Sequence, residues 1–422
     1  MSIISELLMN IPVPKMVRIK QKFDSYALEN PVLKLEQELN KTGGIERVKP
    51  GQQVAIGVGS RGVANIAVLV KKLVQMVQKA EAHPFIVPCM GSHGGATAEG
   101  QKEVLAGLGV TEEAMGAPVR SSMDVVMLDQ LPNGLPVYAD KNAAEADAMI
   151  VINRVKPHTA FRGPVESGIM KMISIGLGKQ KGADACHRLG FKHMANNVPQ
   201  TAKIMLSKLP IIFGIALVEN ANDQTCIVEL LPAEKIEERE VELLKKAKAC
   251  MPRIYFDQID VLVIDYIGKN ISGDGMDPNI TGRYPTPYAF GGPQVSKMVV
   301  LALTCETEGN ANGLGTADFA SQRLVSAMNR EVTYANGLTS TVCAPTKIAT
   351  TLENDLYAIK AAIKTCNILD YTKCRLVRIK NTLSLSEIEI SEAMLKEAET
   401  NVNIEIMTEP YHLCFDGQGN LF

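Results

Sequence analysis

Three of the chain's six histidines fall between residues 153 and 193, in NRVKPHTAFRGPVESGIMKMISIGLGKQKGADACHRLGFKH, among lysines and glycine breaks. Such groups move protons, bind metals and carry covalent adducts. His158 follows Lys156-Pro157. The proline fixes its own φ and drives Lys156 to an extended conformation, stiffening the loop where a general acid/base has to be held. Lys171 sits among Met170, Met172 and Ile173, surroundings that desolvate an amine and make it nucleophilic. His187 lies sixteen residues further on. In one straight helix that is about 24 Å, too far to share a small ligand, so the two can meet only if the glycines at 176, 178 and 182 fold the gap. A second concentration, MGSHGGATAEGQ (90–101), sets His93 in a glycine loop with Thr97 as N-cap and Glu99 in the first helical turn, where an anion is favoured. Read singly, each feature has a structural alternative: a solvated turn histidine for His93, a capping histidine for His158, a snorkelling lysine for Lys171 and a surface histidine for His187.

The elements around these residues alternate. QVAIGVGS (53–60) reads as a buried strand, residues 64–80 as an amphipathic helix, PFIVPCM (84–90) as a strand and 97–109 as a helix. DVVMLD, ADAMIVIN, a helix near 198–208 and IIFGIALVEN continue the pattern, which predicts a doubly wound, mostly parallel sheet. The charged helix within 232–250 reads as a connector. Beyond it the alternation restarts with DVLVIDYIG (260–268), KMVVLALT (297–304) and a helix from about 316. The expected fold is therefore α/β, with an N-terminal domain over 1–250 and a C-terminal one over 251–422. Ligands of open α/β sheets sit on loops beyond the strands' carboxyl ends. Four loops qualify: GSRG (59–62), GSHGG (91–95), RVKPHTAFRG (154–163) and GKNISGDGMDPNITGR (268–283).

Composition narrows the classes. A formal charge of −2 provides no basic field for nucleic acid or an anionic membrane. No apolar run reaches the roughly 20 residues needed to span a bilayer, and the N-terminal stretch lacks a signal-peptide layout. Nine cysteines without a CxxC pair read as reduced thiols, so a cytoplasmic location is expected. Gly176-x-Gly178-x3-Gly182, with Lys179 and Lys181 beside it, invites a dinucleotide reading. That fingerprint expects an acidic ribose partner about 20 residues on, and no Asp or Glu occurs between Asp184 and Glu219. Asp274, Asp277 and Asn279 do not match calcium-loop spacing and read as a polar turn. Glu306, Glu308, Asn310 and Asn312 form a second polar loop, open to a hydroxylated substrate or to solvent.

Taken together, the order and spacing across about 50–195 resemble the lactate racemase family, enzymes that use a nickel-pincer nucleotide. The resemblance rests on Ser60-Arg61, on the loop with His93, Thr97 and Glu99, on Pro157-His158, and on Lys171 followed by His187. It implies two α/β domains with the active site in the cleft between them. It also implies that Lys171 holds the cofactor (pyridinium-3,5-bisthiocarboxylic acid mononucleotide nickel) covalently and that His187 is the protein's nickel ligand. Arg61, Ser60 and the Ser92 and Gly94 backbone of the GSHGG loop would bind cofactor phosphate or substrate carboxylate, and His93 and His158 would form the acid/base pair. Lys269 matches a substrate- or cofactor-contacting lysine more loosely. Proteins that synthesise the cofactor would be required as partners.

The implied reaction inverts the α-carbon of a 2-hydroxy acid by hydride transfer to and from the cofactor, one histidine serving each face. The sequence departs from the family where Val58-Gly59 precede Ser60-Arg61 in place of an acidic residue. The segment between His158 and Lys171 is longer and carries Arg162, Pro164 and Glu166, and the chain has no Trp. Arg162 and Glu166 would suit a larger 2-hydroxy acid than lactate, such as a sugar acid. Two other readings stay open: an NADP-dependent oxidoreductase using the 176–182 glycines, and a non-catalytic nucleotide or sugar-acid sensor.

Overall fold

The computed structural model describes residues 2–60 and 62–422. The chain divides into two α/β units, one of Asp24–Met251 and one of Met1–Phe23 with Pro252–Phe422. The two units meet in sequence between Met251 and Pro252. The first 23 residues, however, belong with the C-terminal unit and not with the N-terminal domain over 1–250. The reason is strand pairing: Met16–Gln21 lies antiparallel between Glu387–Ser391 and Ile404–Ile406.

In the Asp24–Met251 unit, a five-stranded sheet runs in the order His83–Pro88, Gln53–Val58, Ala148–Arg154, Ile211–Glu219, Thr225–Pro232. The first four strands are parallel and the last returns antiparallel. Alternate side chains feed two separate cores, as the two-residue period of a strand requires. Ala55, Phe85, Val87, Met149 and Val151 enter one; Val54, Ile56, Val58, Ile86, Ile150 and Ile152 enter the other. Helix Ile66–Lys79 buries Ile66, Leu69, Val70, Leu73, Val74 and Val77, a stripe at helical spacing that covers the second core. After Gln53–Val58 the chain builds outward to His83–Pro88, and Ala148–Arg154 is then added on the other side. The strand order reverses at that point, and loops leaving these three carboxyl ends share one edge. They carry Ser60, His93 and His158.

DVVMLD does not extend this sheet. Val125–Gln130 pairs only with Pro136–Asp140 in a two-stranded ribbon. Its side chains are half-buried or exposed, whereas Gln53–Val58 in the parallel sheet is buried at every position after Gln53.

The other unit holds an eight-stranded sheet ordered Thr350–Leu352, Phe319–Ser321, Gln294–Leu303, Gln258–Ile267, Leu376–Ile379, Glu387–Ser391, Met16–Gln21, Ile404–Ile406. Its first five strands are parallel and its last three antiparallel. The helix expected from 316 is instead the strand Phe319–Ser321 followed by the short helix Gln322–Ser326. Among the described residues, no helix is long and apolar enough to cross a membrane.

Candidate active site

The segment after Gly168 is anchored before it does anything else. Ile169, Met170, Met172, Ile173, Ile175 and Leu177 are all buried in the first core. This leaves Lys171 half-buried at the segment's edge. Ile169–Lys171 is one helical turn, Met172–Gly176 continues as a π-helix, and Lys179–Arg188 forms the next α-helix. Single π turns inside helices recur at functional sites because they shift side-chain register locally. The chain turns at Lys179, which takes a left-handed φ of 53°. Gly178 keeps right-handed values and Gly182 lies inside the helix. The fold between Lys171 and His187 thus exists, but a lysine makes its sharpest turn.

Three of the candidate residues come together. Lys171 Nζ lies 2.8 Å from His158 Nε2. The rings of His158 and His187 flank Phe191, with centroid distances of 6.3 Å and 5.8 Å, and the His187 ring is nearly parallel to it at 18°. Phe161 also packs against the His158 ring, at 4.4 Å. Burial first, then the Lys171 amine, holds the His158 imidazole well below its ordinary pKa. The same two causes push His187 down to about 4, with Asp184 opposing. Both rings are therefore neutral near pH 7.

The hydrogen bonds also fix the orientation of the His158 ring. The Ala160 amide donates to His158 Nδ1 at 3.0 Å, which leaves Nε2 facing Lys171.

The loop bearing His158 is held by Glu166, whose side chain has no exposed surface. Its carboxylate accepts from the His158 amide at 2.8 Å and pairs with Arg162 at 3.2 Å and Lys248 at 2.7 Å. Arg162 also donates to the His158 carbonyl at 2.6 Å. The sequence assigned Arg162 and Glu166 to the substrate; in this structure they are turned onto the loop itself. A fully covered carboxylate with three partners has no face left for a ligand.

His93 lies on the neighbouring loop. It is exposed, and its Nδ1 is hydrogen-bonded to Ser60 Oγ. Ser92 and Gly94 flank it, both half-buried, and the Thr97 side chain caps the following helix through the Gly100 amide at 3.0 Å, as the sequence predicted. The Gly91 amide donates to Gly176 O at 3.1 Å, joining this loop to the Lys171 segment. Arg61 lies outside the described residues. The end of its loop is fixed by Glu219, which accepts from the Ala64 amide at 2.6 Å and pairs with Arg154.

Lys269 belongs to the other unit, where its amine donates to Gly273 O and Asn336 Oδ1, each at 2.6 Å. Asp277 caps the short helix Pro278–Thr281, which makes the 274–279 stretch a structural turn. Among the described residues, no group of three or more His, Cys, Asp or Glu side chains is gathered to hold a metal.

Residues 21–198 match the family described as lactate racemase N-terminal domain. Residues 21–198 thus carry a domain similar to the N-terminal domain of lactate racemases. No curated protein matches by sequence. Among solved structures, the chain is similar to the lactate racemase apoprotein from Thermoanaerobacterium thermosaccharolyticum. The TM-score is 0.54 at 12% identity, covering 88% of this chain and 99% of that one, and the likeness extends the shared fold over both units.

The racemase-type domain of this chain has a support that sequence reading missed. Helix Ile236–Cys250, read as a connector, supplies Lys248 to Glu166 and Glu240 to the Lys171 segment. Glu240 is fully buried, and its Oε2 accepts from the Met170 amide at 2.9 Å. The Ile169 amide bonds the same carboxylate. Gly168 is required there, because a Cβ would stand 2.5 Å from Glu240 Oε1. The signal was present: Glu240 interrupts the buried stripe Ile236, Leu243, Leu244, Ala247. A carboxylate on an apolar stripe has to be meeting donors.

Burial pushes the Glu240 pKa up to about 7 against an ordinary value of 4.5. The folded state therefore holds this proton more tightly than the unfolded state. Stability from this group is full below pH 4.5 and is lost as pH rises to 7. The total is roughly 3 kcal/mol at about 1.4 kcal/mol per unit. Glu240→Gln has no such proton to lose. The difference in unfolding free energy, wild type minus variant, is expected to fall across pH 4.5–7 and then level off. Parallel urea-unfolding curves over that window check it; a constant difference would remove Glu240 from the pH dependence.

Proposed function

We propose that this protein is a racemase or epimerase of a 2-hydroxy acid, dependent on a nickel-pincer nucleotide. The observation that carries the reading is the contact between Lys171 and His158, with His187 across Phe191, inside a lactate racemase N-terminal domain. The residues fit the cofactor. Lys171 offers an amine for covalent attachment. His187 offers a neutral imidazole, a donor that suits nickel. With no other metal-binding group gathered among the described residues, the remaining donors would come from the nucleotide. When bound, the cofactor supplies a hydride acceptor that sulfur-ligated nickel tunes.

The chain's own residues do the rest. His158, held neutral by burial, exchanges a proton with the substrate hydroxyl at Nε2, since Nδ1 is taken by the Ala160 amide. His93, on the neighbouring loop, serves the opposite face. Two bases are needed because each enantiomer presents its hydroxyl proton from its own side. Ser60, Arg61, Ser92 and Gly94 are proposed to bind cofactor phosphate or substrate carboxylate, and Lys269 to contact substrate. Phe161 and Phe191 line the His158 base with apolar surface, which shields its side of the proton path from water. The proposed setting is the cytoplasm, with cofactor-synthesis proteins as partners.

The test uses protein from cells able to make the cofactor. Intact mass should show an adduct that Lys171→Ala abolishes, and elemental analysis should show nickel that His187→Ala loses while keeping the adduct. Loss of optical purity should follow over a panel of 2-hydroxy acids, longer acids outperforming lactate. A nickel-free, adduct-free protein that instead turns over a nicotinamide would overturn the reading.

A further inference from the structure

Lys179 is a lysine in the wrong place for an ordinary one. Its side chain is fully buried, and its backbone is left-handed, a conformation that residues with a Cβ rarely adopt. Such strain persists only where surrounding contacts over-determine it. Here the amine makes three of them: Pro88 O at 2.7 Å, Gln101 Oε1 at 2.9 Å and Asp140 Oδ2 at 3.1 Å. These partners come from three different elements. Pro88 ends the strand that leads into the GSHGG loop, Gln101 lies on the helix leaving it, and Asp140 ends the ribbon strand Pro136–Asp140.

Gln101 carries the connection further. It is fully buried, and its amide nitrogen donates to Gly91 O at 2.8 Å and His93 O at 3.3 Å. Fixed by Lys179 at its oxygen, the Gln101 amide can present only its NH2 group to the loop, so the orientation is not free to flip. The loop is clamped from the helix side as well. A Cβ at Gly100 would stand 2.1 Å from Gly94 O, so the two backbones lie in direct contact. The Asp140 amide donates to Leu177 O at 2.7 Å, tying the amine's counter-ion to the Lys171 segment.

We infer that Lys179 is a positioning residue: through Gln101 it sets the His93 loop in register with the segment carrying Lys171 and His187. It touches no reacting atom. What it fixes is the main chain on both sides of His93, at the cost of a strained backbone and a buried charge pair. Its significance for catalysis rests on the proposed function, because it makes the placement of one base depend on the segment that holds the other candidate groups.

The test reads His93 without metal, cofactor or turnover, so its failure and that of the racemase reading are separable. With six histidines, the imidazole signals of the full chain can be assigned by single substitutions. Lys179→Met combined with Asp140→Asn removes the amine without stranding a carboxylate. The His93 signals are expected to shift or broaden and amide exchange over 91–97 to speed up at least about tenfold. The signals of His158 and His187, held by other partners, should stay put. Lys179→Gly, which relieves the backbone strain but lacks the amine, should behave the same way. If the lysine variants do not fold, Gln101→Leu decides by the same readouts. An unchanged His93 signal and unchanged loop exchange in a folded variant would overturn the proposal. A wild-type His93 in Lys179→Gly would also overturn it, since backbone shape and not the amine would then be setting the loop.

Discussion

His158→Ala is expected to lower interconversion of the substrate enantiomers about 100- to 10,000-fold, the range for losing a positioned general acid/base. The fold should survive. His158 is held mainly through its backbone, whose amide and carbonyl are bonded to Glu166 and Arg162, and those bonds do not need the imidazole. The Lys171 amine loses only its partner at 2.8 Å, so covalent loading should persist. His93→Ala is expected to show a loss of similar size with the same retained metal. Polarimetry from either enantiomer, with nickel content and melting temperature on the same samples, checks the pair. Near-normal turnover in either variant, or nickel loss in step with activity, would remove that histidine from the proton path.

The largest effect on stability is expected from Glu166→Ala. It strands the His158 amide and the Arg162 guanidinium, whose side chain is only 14% exposed. Breaking a buried charge pair by removing one partner costs about 3–5 kcal/mol. Lys248 is 42% exposed and can turn to water, so Lys248→Met should cost under about 1 kcal/mol. Denaturant midpoints for the two variants separate the cases. Equal, small effects would mean that the carboxylate is not the hub of the loop.

How much of this was legible depended on whether the signal was local. The parallel strands were visible because burial on both faces turns them into continuous apolar runs, as in QVAIGV and AMIVIN. Thr97 was legible as a cap from its place before a helical run. Lys171 and His187 were singled out by residue type, and the structure gives them a common neighbour in His158. The pairing of Met16–Gln21 with strands beyond residue 380 was not legible, since nothing in six residues names a partner so distant in sequence. The contacts of Arg162 and Glu166 with their own loop were not legible for a related reason. A charged pair in a loop looks the same in sequence whether it faces a ligand or the loop's own backbone. The turn at Lys179 had no signal, because glycines stood on either side and a lysine is the last residue expected to take it.

Helix Ile236–Cys250 bears on any attempt to dissect this protein. The stretch that matches the lactate racemase N-terminal domain stops at residue 198, before the strand Ile211–Glu219 and before Glu240 and Lys248. A fragment trimmed to that stretch would leave Ala148–Arg154 as an open sheet edge beside the candidate site. The Met170 amide and the Glu166 carboxylate would also lose the partners this helix provides. The portion recognisable by homology is therefore smaller than the compact unit that completes the site's support, which runs from Asp24 to Met251.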